Sequence, residues 1–503
     1  MENEREQWGS KMGFILAAVG SAVGLGNIWR FPYLVYNNGG GAFLVPYFIA
    51  ILTAAIPILI LEYGMGHKYR ASTPLALARG NRKWEWLGWW PTINAFFILA
   101  YYSMILSWAI KYLTLSFTKG WGADPNNYFY NDFLRLSSSP FEFTAIIWPV
   151  LIGIAALWAV NWFICYRGVK GGIEKLNKVL LPLLIIIMII IVVKGVTLNG
   201  STVGLNKLFT PDWSKVKDPS VWIAAYGQVF FSLSVGMGIM MTYSSYLPKK
   251  SDINNSAFMT GFANCGFEFL CAIGVFSILG FMATSQGVPI EEVVSGGIGL
   301  AFIVFPKVFS IMGVWGNILG VLFFMCLIFA GLTSSVSLVE AVTAPIIDKT
   351  GWNRKKVVTW ICVLGFVVSI AFATNAGLYL LDIIDNFINN YGIVVVGLLE
   401  AFVIGWIIKP AAIRNHTNSV SYFKIGKWWD ITIKYITPTI LAIMLISSII
   451  TEIKTPYGGY STAELITYGW AIVGIGIIGA LLFSKMPWKN KNSLDFDNES
   501  EVA

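Results

Sequence analysis

Along the chain, apolar residues run on for twenty positions or more, with neither the polar stripe of a surface helix nor the strict alternation of a half-buried strand, and charged residues collect in the gaps. A hydrocarbon layer about 30 Å thick is crossed by roughly 20 residues of helix. Twelve segments meet that requirement, near 12–37, 41–68, 89–116, 145–164, 176–198, 221–247, 255–284, 315–346, 356–375, 380–408, 433–453 and 464–484. Lipid offers no partner to a backbone N–H or C=O, so only helices or closed barrels cross it, and unbroken apolar runs select helices. The expectation is an all-α polytopic membrane protein with about 12 transmembrane helices.

Composition agrees. Of 503 residues, 56% are apolar and 12% charged, a balance foreign to a soluble enzyme; 49 glycines, 19 prolines and 15% aromatics are foreign to a disordered chain or a coiled coil. The net charge of +8 would suggest nucleic acid for a soluble chain, but here the basic residues sort by side. Lys68, Arg70, Arg79, Arg82 and Lys83 follow the second run, and Arg354, Lys355 and Lys356 precede the ninth, both on the side of the N-terminus. The positive-inside rule then puts both termini in the cytoplasm of a plasma-membrane protein whose surroundings are lipid. Cys165, Cys265, Cys271, Cys326 and Cys362 lack zinc-site spacing and read as small buried hydrophobes. His67 and His416 are expected in solvated loops. No cleavable leader is expected at the start, and the polar, acidic segment after Lys485 is expected to lack fixed structure.

Two runs carry Val-Gly-x-Gly in mid-membrane: Val23-Gly24-Leu25-Gly26 in the first and Val235-Gly236-Met237-Gly238 in the sixth. Glycine weakens a helix by about 1 kcal/mol relative to alanine. Unwinding there frees amides that suit anions and carbonyls that suit cations, so the two breaks together can hold a zwitterion and metal ions. An amino acid is the natural zwitterion. Gly24 offers no acidic side chain to a bare amine, which favours a substrate that brings its own carboxylate. First and sixth are the expected places in two five-helix repeats of inverted topology, 12–200 and 201–408, after an N-terminal segment 1–11 and before two further helices, 409–484, and a tail, 485–503. Tight packing through small residues is the plain alternative. A dinucleotide fingerprint would need a third glycine and a preceding strand.

The stretch Gly20-Ser21-Ala22-Val23-Gly24-Leu25-Gly26-Asn27-Ile28-Trp29-Arg30-Phe31-Pro32, followed by Asn38-Gly39-Gly40-Gly41-Ala42-Phe43, resembles the first helix and loop of the neurotransmitter:sodium symporters. Further matches are Gly227-Gln228-Val229-Phe230-Phe231-Ser232-Leu233-Ser234 and Phe329-Ala330-Gly331-Leu332-Thr333-Ser334-Ser335, so the resemblance spans the first ten runs, and the chain resembles the bacterial amino-acid symporters of that family. It implies alternating access driven by sodium, with two ions. One site falls on the carbonyls of Gly20, Val23 and Ala330 and the hydroxyls of Thr333 and Ser334. Independently, Ala330 and Ser334 are i, i+4 with Thr333 beside them, and all offer the oxygen that a hard cation prefers. The other site falls on the Ala22 carbonyl, Asn27, Ser232 and Asn264, with the substrate carboxylate as a further ligand.

For the substrate, the resemblance points to the amides of Leu25 and Gly26 and the Tyr102 hydroxyl for the carboxylate, and to Ala22, Phe231, Ser232 and Ser234 for the ammonium. Ile98, Met237, Ser334 and Leu338 complete the walls. Arg30 and Asp385 match the outer gate pair, with Phe231 and Tyr102 as the aromatic lid; Arg5 and Asp348 match the inner pair, with Trp8 beside the former and Tyr246 near the latter. Static ion pairs are the plain alternative for both. Glu62 is expected to brace the unwound segments, whereas Glu400 has no role assigned. Chloride-dependent members hold the anion among residues corresponding to Tyr47, Gln228, Ser232 and position 268, where this chain has Glu268. Lying four residues after Asn264, its carboxylate can supply the negative charge itself. The expected function is a chloride-independent, sodium-coupled symporter of neutral hydrophobic or aromatic L-amino acids. It is not expected to be an enzyme, since Gly-x-Ser-x-Gly and metal-spaced histidines are missing. A proton-coupled amino-acid carrier of the same fold is the alternative, and a homodimer is allowed.

Overall fold

The computed structural model describes residues 5–494. Among them there is no strand, only an isolated bridge between Ile146 and Thr374. The chain starts with α1 (Lys11–Ala22) and α2 (Leu25–Asn37), a pair bent by 55° that counts as one broken crossing. Four helices long and apolar enough to cross a membrane follow: α3 (Gly40–Tyr69), α4 (Arg82–Ser116), α5 (Trp148–Tyr166) and α6 (Val169–Val196). The run expected over 221–247 is divided into α7 (Pro219–Ser232) and α8 (Ile239–Ser244), each too short to cross alone. Six more long helices complete the chain: α9 (Ile253–Gln286), α10 (Val314–Thr350), α11 (Arg354–Ala373), α12 (Gly377–Ile408), α13 (Lys427–Gly459) and α14 (Thr462–Lys485). Ten described helices therefore pass the test of length and hydropathy, and the bent pair makes an eleventh crossing. The chain is a multi-pass membrane protein.

Burial separates centre from rim. The apolar windows of α4 and α9 are 72% buried inside the protein, those of α13 and α14 only 17% and 28%, so the last two helices turn most of their apolar surface towards lipid. α4 packs along α10, and α6 along both α1 and α9, which gathers the two broken crossings among the most buried helices.

Two expectations are corrected. His67 is not in a solvated loop: it lies in α3, 3% exposed, with Nδ1 2.9 Å from His416 Nε2 and Nε2 2.9 Å from the Pro248 carbonyl. A carbonyl only accepts, so His67 Nε2 carries the proton and His416 Nε2 donates to His67 Nδ1. His416 belongs to a helix, Pro410–Val420, folded over the end of α3, and burial beside His67 lowers its pKa to about 3, leaving it neutral. Basic neighbours in sequence made this end look exposed; a segment some 350 residues away covers it. The tail after Lys485 is likewise not all without structure: Trp488 is buried and its Nε1 donates to Glu85 Oε2 at 2.9 Å. The rest of that tail, 495–503, lies outside the described residues, as do residues 1–4 of the N-terminal segment. All five cysteines are free and buried.

Candidate functional site

Both breaks form where the glycines predict, and each is stabilised locally. The Val23 N–H closes onto the Val19 carbonyl at 2.7 Å, ending α1, but the Gly24 N–H turns to Asn27 Oδ1 at 2.8 Å instead of continuing the helix. Asn27 thus caps α2 from inside its first turn, as a capping-box side chain does, and the carbonyls just before the break are left without helical partners. In the second break, Ser234, Gly236 and Gly238 take φ of 52°, 71° and 72°. Only glycine adopts these angles freely; Ser234 bears the strain while its Oγ donates to the Ser21 carbonyl at 3.1 Å, tying one break to the other. The Gly236 N–H donates to Glu62 Oε1 at 2.7 Å, so Glu62 braces the second break as expected. Glu400 is buried with neither carboxyl oxygen bonded among the described residues.

Between the breaks lies a cavity of about 650 Å³, within the range of small-molecule sites. Every residue expected to hold the substrate lines it: Ala22, Leu25, Gly26, Ile98, Tyr102, Phe231, Ser232, Ser234, Met237, Ser334 and Leu338. The glycines matter as absent side chains. A Cβ at Gly26 would come within 2.4 Å of the Phe231 ring, and one at Gly24 within 3.3 Å of Ser334 Oγ and 3.6 Å of the Tyr102 hydroxyl. The missing side chains let an aromatic ring and two hydroxyls approach the exposed backbone.

Members of both expected ion ligand sets meet at the cavity, whose lining includes Ala22, Asn27, Ser232 and Ser334. Ser334 Oγ donates to the Ala330 carbonyl at 3.0 Å and the Ser21 carbonyl at 3.2 Å, and Thr333 Oγ1 to the Ala330 carbonyl at 2.9 Å. A Cβ on Gly20 would be 3.4 Å from Thr333 Cβ, so the end of α1 rests on this turn of α10. Each hydroxyl gives away its one proton and keeps lone pairs, so these oxygens fit a cation. In the other set, Asn27 Nδ2 donates to Asn264 Oδ1 at 2.7 Å and Asn264 Nδ2 to Ser232 Oγ at 3.1 Å. One turn further along α9, Glu268 is fully buried; the Tyr47 hydroxyl donates to one carboxylate oxygen and Gln228 Nε2 to the other at 2.6 Å.

The two pairs expected as gates differ. Arg5 reaches Asp348 at 2.9 Å and also donates to Ser245 Oγ at 2.8 Å, while Asp348 accepts from the Ser72 N–H at 3.0 Å and the Ser72 hydroxyl at 2.6 Å. Burial, the largest single influence, lowers the Arg5 pKa, but the charge and hydrogen bond of Asp348 together with Tyr246 and Glu340 more than offset it, and the pKa is raised. Trp8 plugs this end, its Nε1 donating to the Tyr243 carbonyl at 2.7 Å, and Arg5 lies 5.1 Å over the Tyr246 ring. At the other end no ion pair joins Arg30 to Asp385 among the described residues. Arg30 stands over the Phe231 ring at 4.7 Å, Asp385 accepts from the Tyr101 hydroxyl at 2.7 Å and Asn389 Nδ2 at 2.8 Å, and both line the mouth of the cavity.

Several contributors escape sequence reasoning: Ser72 and Ser245 in the closed gate, Tyr101 and Asn389 on Asp385, and Asp382, which holds Tyr457 and Tyr460 at 2.9 Å each.

Discontinuous membrane helices meeting at a cavity that Arg30 and Asp385 line, and that Arg5 and Asp348 do not, define a membrane carrier of the secondary-transporter class. The profile of the sodium:neurotransmitter symporter family matches residues 5–124 and 122–488. An uncharacterized sodium-dependent transporter of Methanocaldococcus jannaschii is 41% identical over 483 residues, covering 96% of this chain and 98% of the relative. The sodium-dependent dopamine transporter of Caenorhabditis elegans is 32% identical, covering 95% and 85%. The sodium- and chloride-dependent taurine transporter of Homo sapiens is 28% identical, covering 96% and 83%. The chain belongs to the sodium:neurotransmitter symporter family and is a sodium-dependent symporter, a transporter and not an enzyme.

Proposed function

We propose that this symporter imports neutral L-amino acids with apolar or aromatic side chains, by alternating access across the plasma membrane, with two sodium ions and without chloride. The observation that carries the reading is the make-up of the cavity lining. Leu25, Gly26, Ser232 and Ser234 of the breaks and Tyr102 of α4 supply its backbone and hydroxyl groups, and Ile98, Met237 and Leu338 supply apolar side chains. The polar groups suit a carboxylate and an ammonium; a charged side chain against the apolar ones would be unpaired, at a cost of several kcal/mol. A bare amine such as dopamine has no carboxylate to meet at Gly24, since Asp382 and Asp385 lie at the mouth and are engaged by tyrosines. One ion is assigned to Gly20, Val23, Ala330, Thr333 and Ser334, the other to Ala22, Asn27, Ser232, Asn264 and the substrate carboxylate. Glu268 replaces chloride as the fixed negative charge beside the second. Both termini face the cytoplasm, so the open mouth faces outward.

The test is uptake of a panel of labelled amino acids into proteoliposomes with sodium, potassium and pH gradients imposed separately. Leucine, methionine or tryptophan should accumulate with sodium alone. Lysine, glutamate, dopamine or taurine outcompeting them would overturn the substrate assignment.

A further inference from the structure

Beside the ion cradle on α10 stands a side chain with no task in the reading above. Asn177, on α6, is 0% exposed. Its Nδ2 donates to the Ile173 carbonyl at 2.9 Å, which fixes the orientation of the amide plane. Oδ1 is thereby aimed at the first break: a Cβ built on Gly20 would lie 2.1 Å from Asn177 Oδ1 and 3.4 Å from Thr333 Cβ. No donor among the described residues bonds this oxygen. An unsatisfied buried acceptor costs about 1–3 kcal/mol, a penalty that an apolar residue of similar shape would avoid. The groups around it do not relieve that cost. The Thr333 hydroxyl proton is already committed to carbonyls of its own helix, and the Gly20 and Val23 carbonyls are acceptors too. Water offers at most two protons to these acceptors. A cation satisfies all of them at once.

We propose that the Asn177 amide oxygen is a further ligand of the sodium ion held by Gly20, Val23, Ala330, Thr333 and Ser334. This rests on the assignment of those five residues to sodium. It adds a third helix to the cradle, so that sodium ties α6, as well as α10, to the break in α1.

The test is sodium binding without substrate, read on the purified full chain as the sodium concentration that half-saturates its thermal stabilisation. Asn177→Ala should raise that concentration at least tenfold, and Asn177→Asp, which keeps the oxygen and adds charge, should leave it equal or lower. A lower melting temperature without sodium and an unchanged sodium midpoint would mark Asn177 as structural only and overturn the proposal. Should the alanine variant not fold, Asn177→Leu against Asn177→Asp makes the same comparison, and equal midpoints overturn it. Thr333→Ala distinguishes the two levels. If it weakens sodium binding and Asn177→Ala does not, only the role of Asn177 fails; if Thr333→Ala has no effect, the underlying site assignment fails.

Discussion

The two ends of the cavity carry the same chemistry, one arginine and one aspartate each, and differ in everything that surrounds them. At the end of the N-terminus, Arg5 and Asp348 meet at 2.9 Å, with two serines taking up remaining valences and Trp8 excluding water. At the other end Arg30 faces a ring and Asp385 a tyrosine, and the cavity opens past both. At the first end the serines add hydrogen bonds that help offset the desolvation of the paired charges. At the second, Asp385 spends its hydrogen bonds on Tyr101 and Asn389 and not on Arg30. The two ends thus differ, one joined by an ion pair and the other lined by separated charges, with the two breaks as the part between them.

The most damaging change acts on that part. Removing the hydroxyls of Thr333 and Ser334 together should weaken sodium-dependent substrate binding at least hundredfold, about 2.7 kcal/mol, because α1 and α10 would no longer share an ion. Equilibrium binding across a sodium titration checks this, and an unchanged affinity removes the ion from between the two ends.

Next comes the closed end. Arg5→Ala should make a cysteine placed at Ser337, buried one residue from the cavity wall and bonded to Tyr243, react with a polar maleimide about tenfold faster, a shift of about 1.4 kcal/mol towards opening. The native cysteines are all buried, so the signal is clean. A labelling rate equal to that of the parent would mean that Arg5 and Asp348 are not what holds this end shut.

A qualitative change is expected at Glu268. Uptake by the parent should persist with gluconate in place of chloride, and Glu268→Ser should need chloride; parental uptake that vanishes in gluconate would refute the substitution. The smallest effect belongs to the open end. Asp385→Asn keeps an acceptor for Tyr101 but loses the charge that must meet Arg30 on closure, so substrate affinity should fall about threefold, roughly 0.7 kcal/mol, with no change in labelling at Ser337.

How much of this was legible in the chain follows from where each signal lies. Val-Gly-x-Gly is local, because helix weakening acts on the residues that carry it, and both breaks appear where it stands. The walls of the cavity were legible through the resemblance and i, i+4 spacing. The pairing of His67 with His416, the Ser72 contacts of Asp348 and the orientation of Asn177 were not, because each depends on which distant helix covers that side chain. The division of the sixth run was only half legible. Its glycines mark the break, but the strained φ of Ser234 is sustained by a bond to Ser21 in another helix.

The 343 positions separating Arg5 from Asp348 also set an order of assembly. At about 5–20 residues per second, a ribosome takes on the order of tens of seconds to pass from one to the other. Late in that interval the nascent chain carries the residues of both breaks, yet the aspartate that locks the N-terminal end has not been made. A chain that stalls before α10 is complete therefore lacks both the second half of this lock and the wall that Ser334 and Leu338 add to the cavity.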